Sequence, residues 1–225
     1  FVDRSSPTPL IMFYVMKHDL SYGMMVTASH NPAIYNGIKV FTRGGRDADE
    51  HQPAEIEKYL EQAEKLYVPD PEEMNPMNEY LDNIISLINL DAIRERDLRI
   101  AIDPMYGVSL TALCTILSIA RCTVETINSQ HDTLFGGKMP APTESTLRSL
   151  QNYVLDRYCD IGIATDGDAD RLGVIDDKGH YLHANTILVM LYYYLLKYRG
   201  WRGPAVRNLS TTHVLDKVAE SFGQK

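Results

Sequence analysis

Two short stretches hold side chains whose types and spacing could do chemistry. The first is Thr27-Ala28-Ser29-His30-Asn31-Pro32, followed by Asn36-Gly37-Ile38-Lys39. A small, polar loop after an apolar run is where α/β proteins expose reactive groups, beyond the end of a strand. Ser29 is a candidate nucleophile, His30 adjoins it, and Lys39 lies on the next expected strand. The plainer reading, a solvated turn, is the commoner fate of an isolated Ser-His pair. The second stretch is Asp166-Gly167-Asp168-Ala169-Asp170-Arg171. In an extended loop, carboxylates at i, i+2 and i+4 can converge on one cation, and hard oxygen donors suit Mg²⁺ or Ca²⁺. Uncompensated, they would repel, so a cation or Arg171 must be close. A solvated aspartate turn is the alternative. The EF-hand pattern is excluded, because Arg171 and Asp177 stand where it needs Gly and Glu.

These loops need elements to position them. Thr8-Pro9 has the form of an N-cap and a first-turn Pro, opening a helix to about Leu20 with Leu10, Phe13 and Tyr14 on one face. Met24–Thr27 predicts a strand into the serine loop, Asn36-Gly37 a tight turn, and Ile38–Phe41 a second strand. A helix is expected from Pro53 through Ile56, Leu60 and Ala63, then a loop at Pro69, Pro71 and Pro76. Leu81, Ile84, Ile85 and Ile88 form an i, i+3, i+4, i+7 stripe. Strands are predicted at 98–102, 122–127, 160–165, 172–176, 180–182 and 205–209. Helices are predicted at 108–120, after a Thr143 cap, at 184–199 and at 212–222. This alternation indicates an α/β architecture with largely parallel sheets. Asp103, before Pro104, is read as a structural turn residue.

The 225 residues are 44% hydrophobic and 23% charged, which is ordinary globular composition. Net charge is −8, and residues 47–73, with ten acids against two bases, account for all of it. No basic patch supports a nucleic-acid partner. No apolar run is long enough for a membrane helix, and no signal peptide is visible. Cys114, Cys122 and Cys159 lack metal or redox spacing, so buried free thiols in a reducing cytoplasmic setting are expected.

Together and in this order, the two loops resemble those of the α-D-phosphohexomutase family: phosphoglucomutases, phosphomannomutases and phosphoglucosamine mutases. The resemblance extends through Ser6-Pro7-Thr8-Pro9, Ala101-Ile102-Asp103-Pro104-Met105-Tyr106-Gly107 and Val206–His213. It implies mixed, largely parallel α/β/α sandwich domains, one complete and two partial. Residues 1–94 would be a partial first domain with the serine loop, 95–180 a complete second domain with the metal loop, and 181–225 the start of a third. It implies an isomerase that interconverts hexose 1-phosphate and hexose 6-phosphate through a hexose 1,6-bisphosphate. Ser29 would carry the phosphoryl group. Asp166, Asp168 and Asp170 would hold one Mg²⁺ against the phosphoserine. Arg171 would bind the same phosphate, and His30 and Lys39 would be acid/base candidates, Lys39 needing a lowered pKa to act as base.

Phosphoglucomutase is the preferred member, on Ser210-Thr211-Thr212-His213. The family's Pro-Glu-Pro is Pro140-Ala141-Pro142 here, so any role of that Glu is absent. Its Gly-Glu-x-Ser-Gly sugar loop and Arg-Pro-Ser-Gly-Thr phosphate loop do not occur in these residues, so the chain is expected to be a piece of the whole enzyme, inactive alone. Two other classes compete. One is a Mg²⁺-dependent, haloacid-dehalogenase-type phosphatase with Asp166 as nucleophile, which leaves Ser29 and Asp170 idle. The other is a mutase-like binding module without catalysis.

Overall fold

The computed structural model describes residues 1–60 and 70–224. Helix α1 spans Thr8–Lys17, with Pro9 in its first turn, where a missing N–H costs nothing. Leu10, Phe13 and Val15 are buried, whereas Tyr14 is only half-buried. The helix stops short of Leu20 because Asp19 turns to φ 49°.

Strands β1 (Tyr22–Val26) and β2 (Ile38–Thr42) pair antiparallel, with Val26 opposite Ile38, and β3 (Arg46–Asp47) adds to β2. This sheet is antiparallel throughout, not parallel, because residues 27–37 are too few for a crossover helix. Asn36-Gly37 is not a two-residue hairpin turn either. The connection is the whole of 27–37, closed at its base where the Thr27 N–H donates to the Gly37 carbonyl at 3.0 Å. The chemistry-bearing loop is thus the hairpin connection itself.

Helix α2 (His51–Leu60) buries none of its side chains; Ala63 and Pro69 lie outside the described residues. Helix α3 (Met77–Leu87) carries the predicted stripe through Leu81, Ile84 and Ile85, and Ile88 follows as its extended C-cap. Leu81 is buried with Ala112 and Ile116, and Ile84, Ile85 and Ile88 pack beside them. Tyr80 on the same helix meets Phe13 of α1 at 5.7 Å between ring centroids. Helix α3 is therefore the seam between the serine-loop and metal-loop halves. A short helix α4 (Leu90–Arg94) follows.

The second sheet contains β4 (Arg99–Asp103), β5 (Thr123–Thr126), β6 (Ile161–Thr165), β7 (Leu172–Asp176) and β8 (Tyr181–Leu182), in the order β5-β4-β6-β7-β8. The β5, β4 and β6 ladders are parallel, linked through α5 (Leu110–Ile119) and α6 (Arg148–Asp156). The β6-β7 and β7-β8 ladders are antiparallel. The result is a mixed α/β sheet. Leu147, Leu150 and Val154 are fully buried against Ala101, Ala164 and Ile175, forming the core under α6. Leu147, not Thr143, occupies the N-cap position of α6, with no side-chain cap; Thr143 sits one turn earlier, its N–H donating to Thr146 Oγ1 at 2.9 Å.

Helices α7 (Ala184–Lys197) and α8 (Val214–Ser221) close the chain, with Tyr193 edge-on to Phe222 at 5.6 Å. Residues 205–209 are not a strand. Among the described residues they have no neighbouring strand, and an extended segment without a ladder partner is not a β-strand. The three cysteines are free, Cys159 buried and the others half-buried. Among the described residues, no helix is long and apolar enough to cross a membrane.

Candidate active site

The serine loop and the metal loop meet although 137 residues separate Ser29 from Asp166. Ser29 Oγ donates to Asp166 Oδ2 at 3.0 Å. Ser29 sits at φ 53°, the left-handed region that costs a non-glycine residue on the order of 1 kcal/mol or more. Its N–H, donating to Thr27 Oγ1 at 2.9 Å, holds it there. His30 Nδ1 lies 3.3 Å from Ser29 Oγ.

The metal loop begins where β6 ends. Asp166 is fully buried and Asp168 nearly so, while Asp170 is exposed. Asp166 Oδ1 accepts the N–H groups of Asp170 and Arg171, both at 3.0 Å, which folds the loop back on itself. Asp168 and Asp170 are drawn together by Lys39, whose Nζ donates to their Oδ2 atoms at 2.8 and 2.6 Å. One carboxylate oxygen from each of the three aspartates lies within 4.8 Å of the others. The loop also needs glycine beneath it. A Cβ on Gly107 would come within 2.5 Å of the Gly167 carbonyl oxygen, and the Val108 N–H donates to that oxygen at 3.1 Å.

Charge is unevenly shared. Burial pushes Asp166 up to about 6; the N–H of Arg171 opposes this and the neighbouring aspartates add to it. Burial also acts on Asp168, but Lys39 and Thr8 outweigh it and hold that carboxyl below its ordinary value. Burial alone would lower Lys39, yet its bonds to Asp168 and Asp170 push it up. The lowered pKa that a lysine base needs is therefore not found. Lys39 stands here as an ammonium ion, the counter-charge to Asp168 and Asp170. Arg171 is half-exposed, its Nε 4.0 Å from Asp166 Oδ2, leaving most of its guanidinium free for an anion.

A groove of about 460 Å³ opens over these groups, lined among others by Ser29, His30, Lys39, Asp170 and Arg171. The expected site residues are thus brought together. Two that sequence reading did not assign are also present. Thr8 donates to Asp168 Oδ2 at 2.9 Å instead of capping α1, and Thr27 Oγ1 reaches the same oxygen at 3.2 Å. Away from the groove, His18, His180 and His213 pair with Glu79, Asp176 and Asp216. Asp103 accepts from the Met105 N–H and Asn128 Nδ2, holding a buried turn.

The donor set fits a hard divalent cation. Three carboxylates converge, and Asp168 Oδ1 is buried without any hydrogen-bond partner. A buried carboxylate oxygen is seldom left so, and a cation would satisfy it.

Residues 2–67 match the family model "Phosphoglucomutase/phosphomannomutase, alpha/beta/alpha domain I", and residues 78–179 match the corresponding model for domain II. The chain is 32% identical over 223 residues to a Pyrococcus abyssi protein named "Probable phosphoglucosamine mutase", covering 97% of this chain and 48% of that one. A Thermococcus kodakarensis phosphoglucomutase/phosphomannomutase is 27% identical, with 98% and 49% covered. Among solved structures, one from Thermus thermophilus, named for phosphomannomutase, is 27% identical with a TM-score of 0.88, covering 99% of this chain and 52% of that one. A Burkholderia thailandensis family protein, at 23% identity and TM-score 0.82, shares the fold; it covers 98% of this chain and 49% of its own. The chain spans about half the length of the curated relatives it matches.

Proposed function

The chain belongs to the phosphoglucomutase/phosphomannomutase family, and from that premise we propose that the whole protein shifts a phosphoryl group between two hydroxyls of a hexose phosphate, with Ser29 as carrier. The observation that carries this reading is the 3.0 Å bond from Ser29 Oγ to Asp166, which joins a strained serine loop to a carboxylate cluster able to hold a cation. Residues 1–94 would supply the carrier loop, 95–180 the metal loop, and 181–225 the opening of a third domain.

In the proposed transfer, the P–Oγ bond of phosphorylated Ser29 breaks as a sugar hydroxyl oxygen bonds to phosphorus. The attacking sugar hydroxyl releases its proton to water in the groove, and Ser29 Oγ, the leaving oxygen, takes one that His30 Nδ1, 3.3 Å away, is placed to deliver. The hexose 1,6-bisphosphate so formed turns in the site and returns its other phosphoryl group to Ser29. Lys39, as an ammonium, and Arg171 balance the charge on the phosphoryl oxygens. Asp166, Asp168 and Asp170 would hold Mg²⁺. Bound there, Mg²⁺ supplies Lewis-acid neutralisation of the phosphoserine oxygens.

A phosphatase with Asp166 as nucleophile is the weaker reading, because it gives no role to Ser29, whose strained loop sets Oγ 3.0 Å from Asp166 Oδ2. For the sugar, Ser210–His213 favours glucose, while relatives named phosphoglucosamine mutase favour glucosamine. The three free thiols suit the cytoplasm.

A coupled assay on the whole protein tests the reading. With trace 1,6-bisphosphate, glucose 1-phosphate or glucosamine 1-phosphate is converted to the 6-phosphate, and EDTA stops the reaction. Release of inorganic phosphate in place of isomerisation would support the phosphatase.

A further inference from the structure

The two carboxylate oxygens of Asp168 have opposite surroundings. Oδ2 accepts three donors: Thr8 Oγ1 at 2.9 Å, Thr27 Oγ1 at 3.2 Å and Lys39 Nζ at 2.8 Å. Oδ1 accepts none, and it is the one buried side-chain nitrogen or oxygen without a partner among the described residues. Asp168 is only 3% exposed, so water does not supply the missing bonds freely. A carboxylate that could rotate would share three donors between its oxygens. That it does not means that the donors sit on one side and are held there.

We infer that Thr8 and Thr27 are positioning residues, saturating Asp168 Oδ2 so that Oδ1 is reserved for the cation. The inference rests on the magnesium reading of the aspartate cluster. Thr8 is fixed better than a surface hydroxyl. It is 1% exposed and β-branched, with few rotamers open to it in a helix. Its backbone also grips the loop, the Thr8 N–H donating to the Asp168 carbonyl at 2.9 Å. A first-turn N–H of α1, which has no partner within its own helix, thereby finds one in the metal loop 160 residues away. Thr27 does a second job with the same oxygen. Its Oγ1 accepts the Ser29 N–H at 2.9 Å while donating to Asp168, so the serine backbone and the carboxylate share one register. Lys39 cannot replace them. It is half-exposed on a flexible stem and divides its ammonium between Asp168 and Asp170.

Calorimetric titration of MgCl₂ into the chain, as wild type, Thr8→Val, Thr8→Ser and Thr27→Val, tests this at a temperature where each is folded. Groups that orient a metal ligand typically change affinity about 10–100-fold, so Thr8→Val is expected to weaken Mg²⁺ binding at least about tenfold, and Thr8→Ser to stay within about twofold of wild type. Thr27→Val is expected to weaken it similarly. Wild-type affinity in both valine variants would overturn the inference, as would a serine variant that falls as far as valine, since packing rather than the hydroxyl would then matter. If Thr8→Val does not fold, Thr27→Val decides: a tenfold loss supports the inference and unchanged affinity overturns it. A wild-type chain that takes up no Mg²⁺ would overturn the magnesium reading itself, a different result from variants that match a binding wild type.

Discussion

Ser29→Ala in the whole protein is expected to lower isomerase turnover by at least about 10⁴-fold, the scale on which removal of a nucleophile acts when its partners remain. The fold should survive the change. Alanine pays the same left-handed φ of 53° that serine does, and the N–H still reaches Thr27 Oγ1. What disappears is the oxygen that carries phosphorus and donates to Asp166 Oδ2 at 3.0 Å. Mg²⁺ binding should weaken without being lost, because Asp166, Asp168 and Asp170 stay in place. Steady-state kinetics with a melting curve on the same sample checks both halves. Near-normal turnover in a folded variant would remove Ser29 from the mechanism.

Asp168→Asn is expected to cost Mg²⁺ affinity at least about a hundredfold, the upper end of what losing a mere supporting group costs. The amide has two placements, and each fails. With its NH₂ at the Oδ2 position it faces three donors, Thr8, Thr27 and Lys39, with nothing to accept from them. With its oxygen there, the NH₂ replaces Oδ1 and presents a donor where a cation needs an acceptor. In both, Lys39 loses one of its two carboxylates. Unsatisfied buried donors cost about 1–3 kcal/mol, so the midpoint of urea unfolding should fall as well. A variant with wild-type affinity and midpoint would show that Asp168 is not a ligand.

Much of this site was legible in sequence because its chemistry is local. Ser29 with His30, and Asp166, Asp168 and Asp170, each lie within one short loop after a strand, and the elements leading in have strong periodicity. The contacts that failed to show are the long-range ones. Thr8 has the local signature of a helix cap, and only the tertiary fold turns its hydroxyl onto Asp168. The state of Lys39 depends on two carboxylates about 130 residues downstream, which outweigh its burial. Asn36-Gly37 carries a turn signal, but closure at Thr27 and Gly37 makes the entire serine loop the hairpin connection. Residues 205–209 have strand composition without a ladder partner among the described residues, and composition alone cannot supply one.

Mapping the phosphoryl group on the whole protein tests the carrier role most directly. The protein is incubated with glucose 1,6-bisphosphate, quenched in acid, digested and read by mass spectrometry, with and without hydroxylamine. The predicted result is an acid-stable, hydroxylamine-resistant phosphate on the peptide containing Ser29, absent from Ser29→Ala. A hydroxylamine-labile phosphate on Asp166, or label that persists in Ser29→Ala, would contradict it.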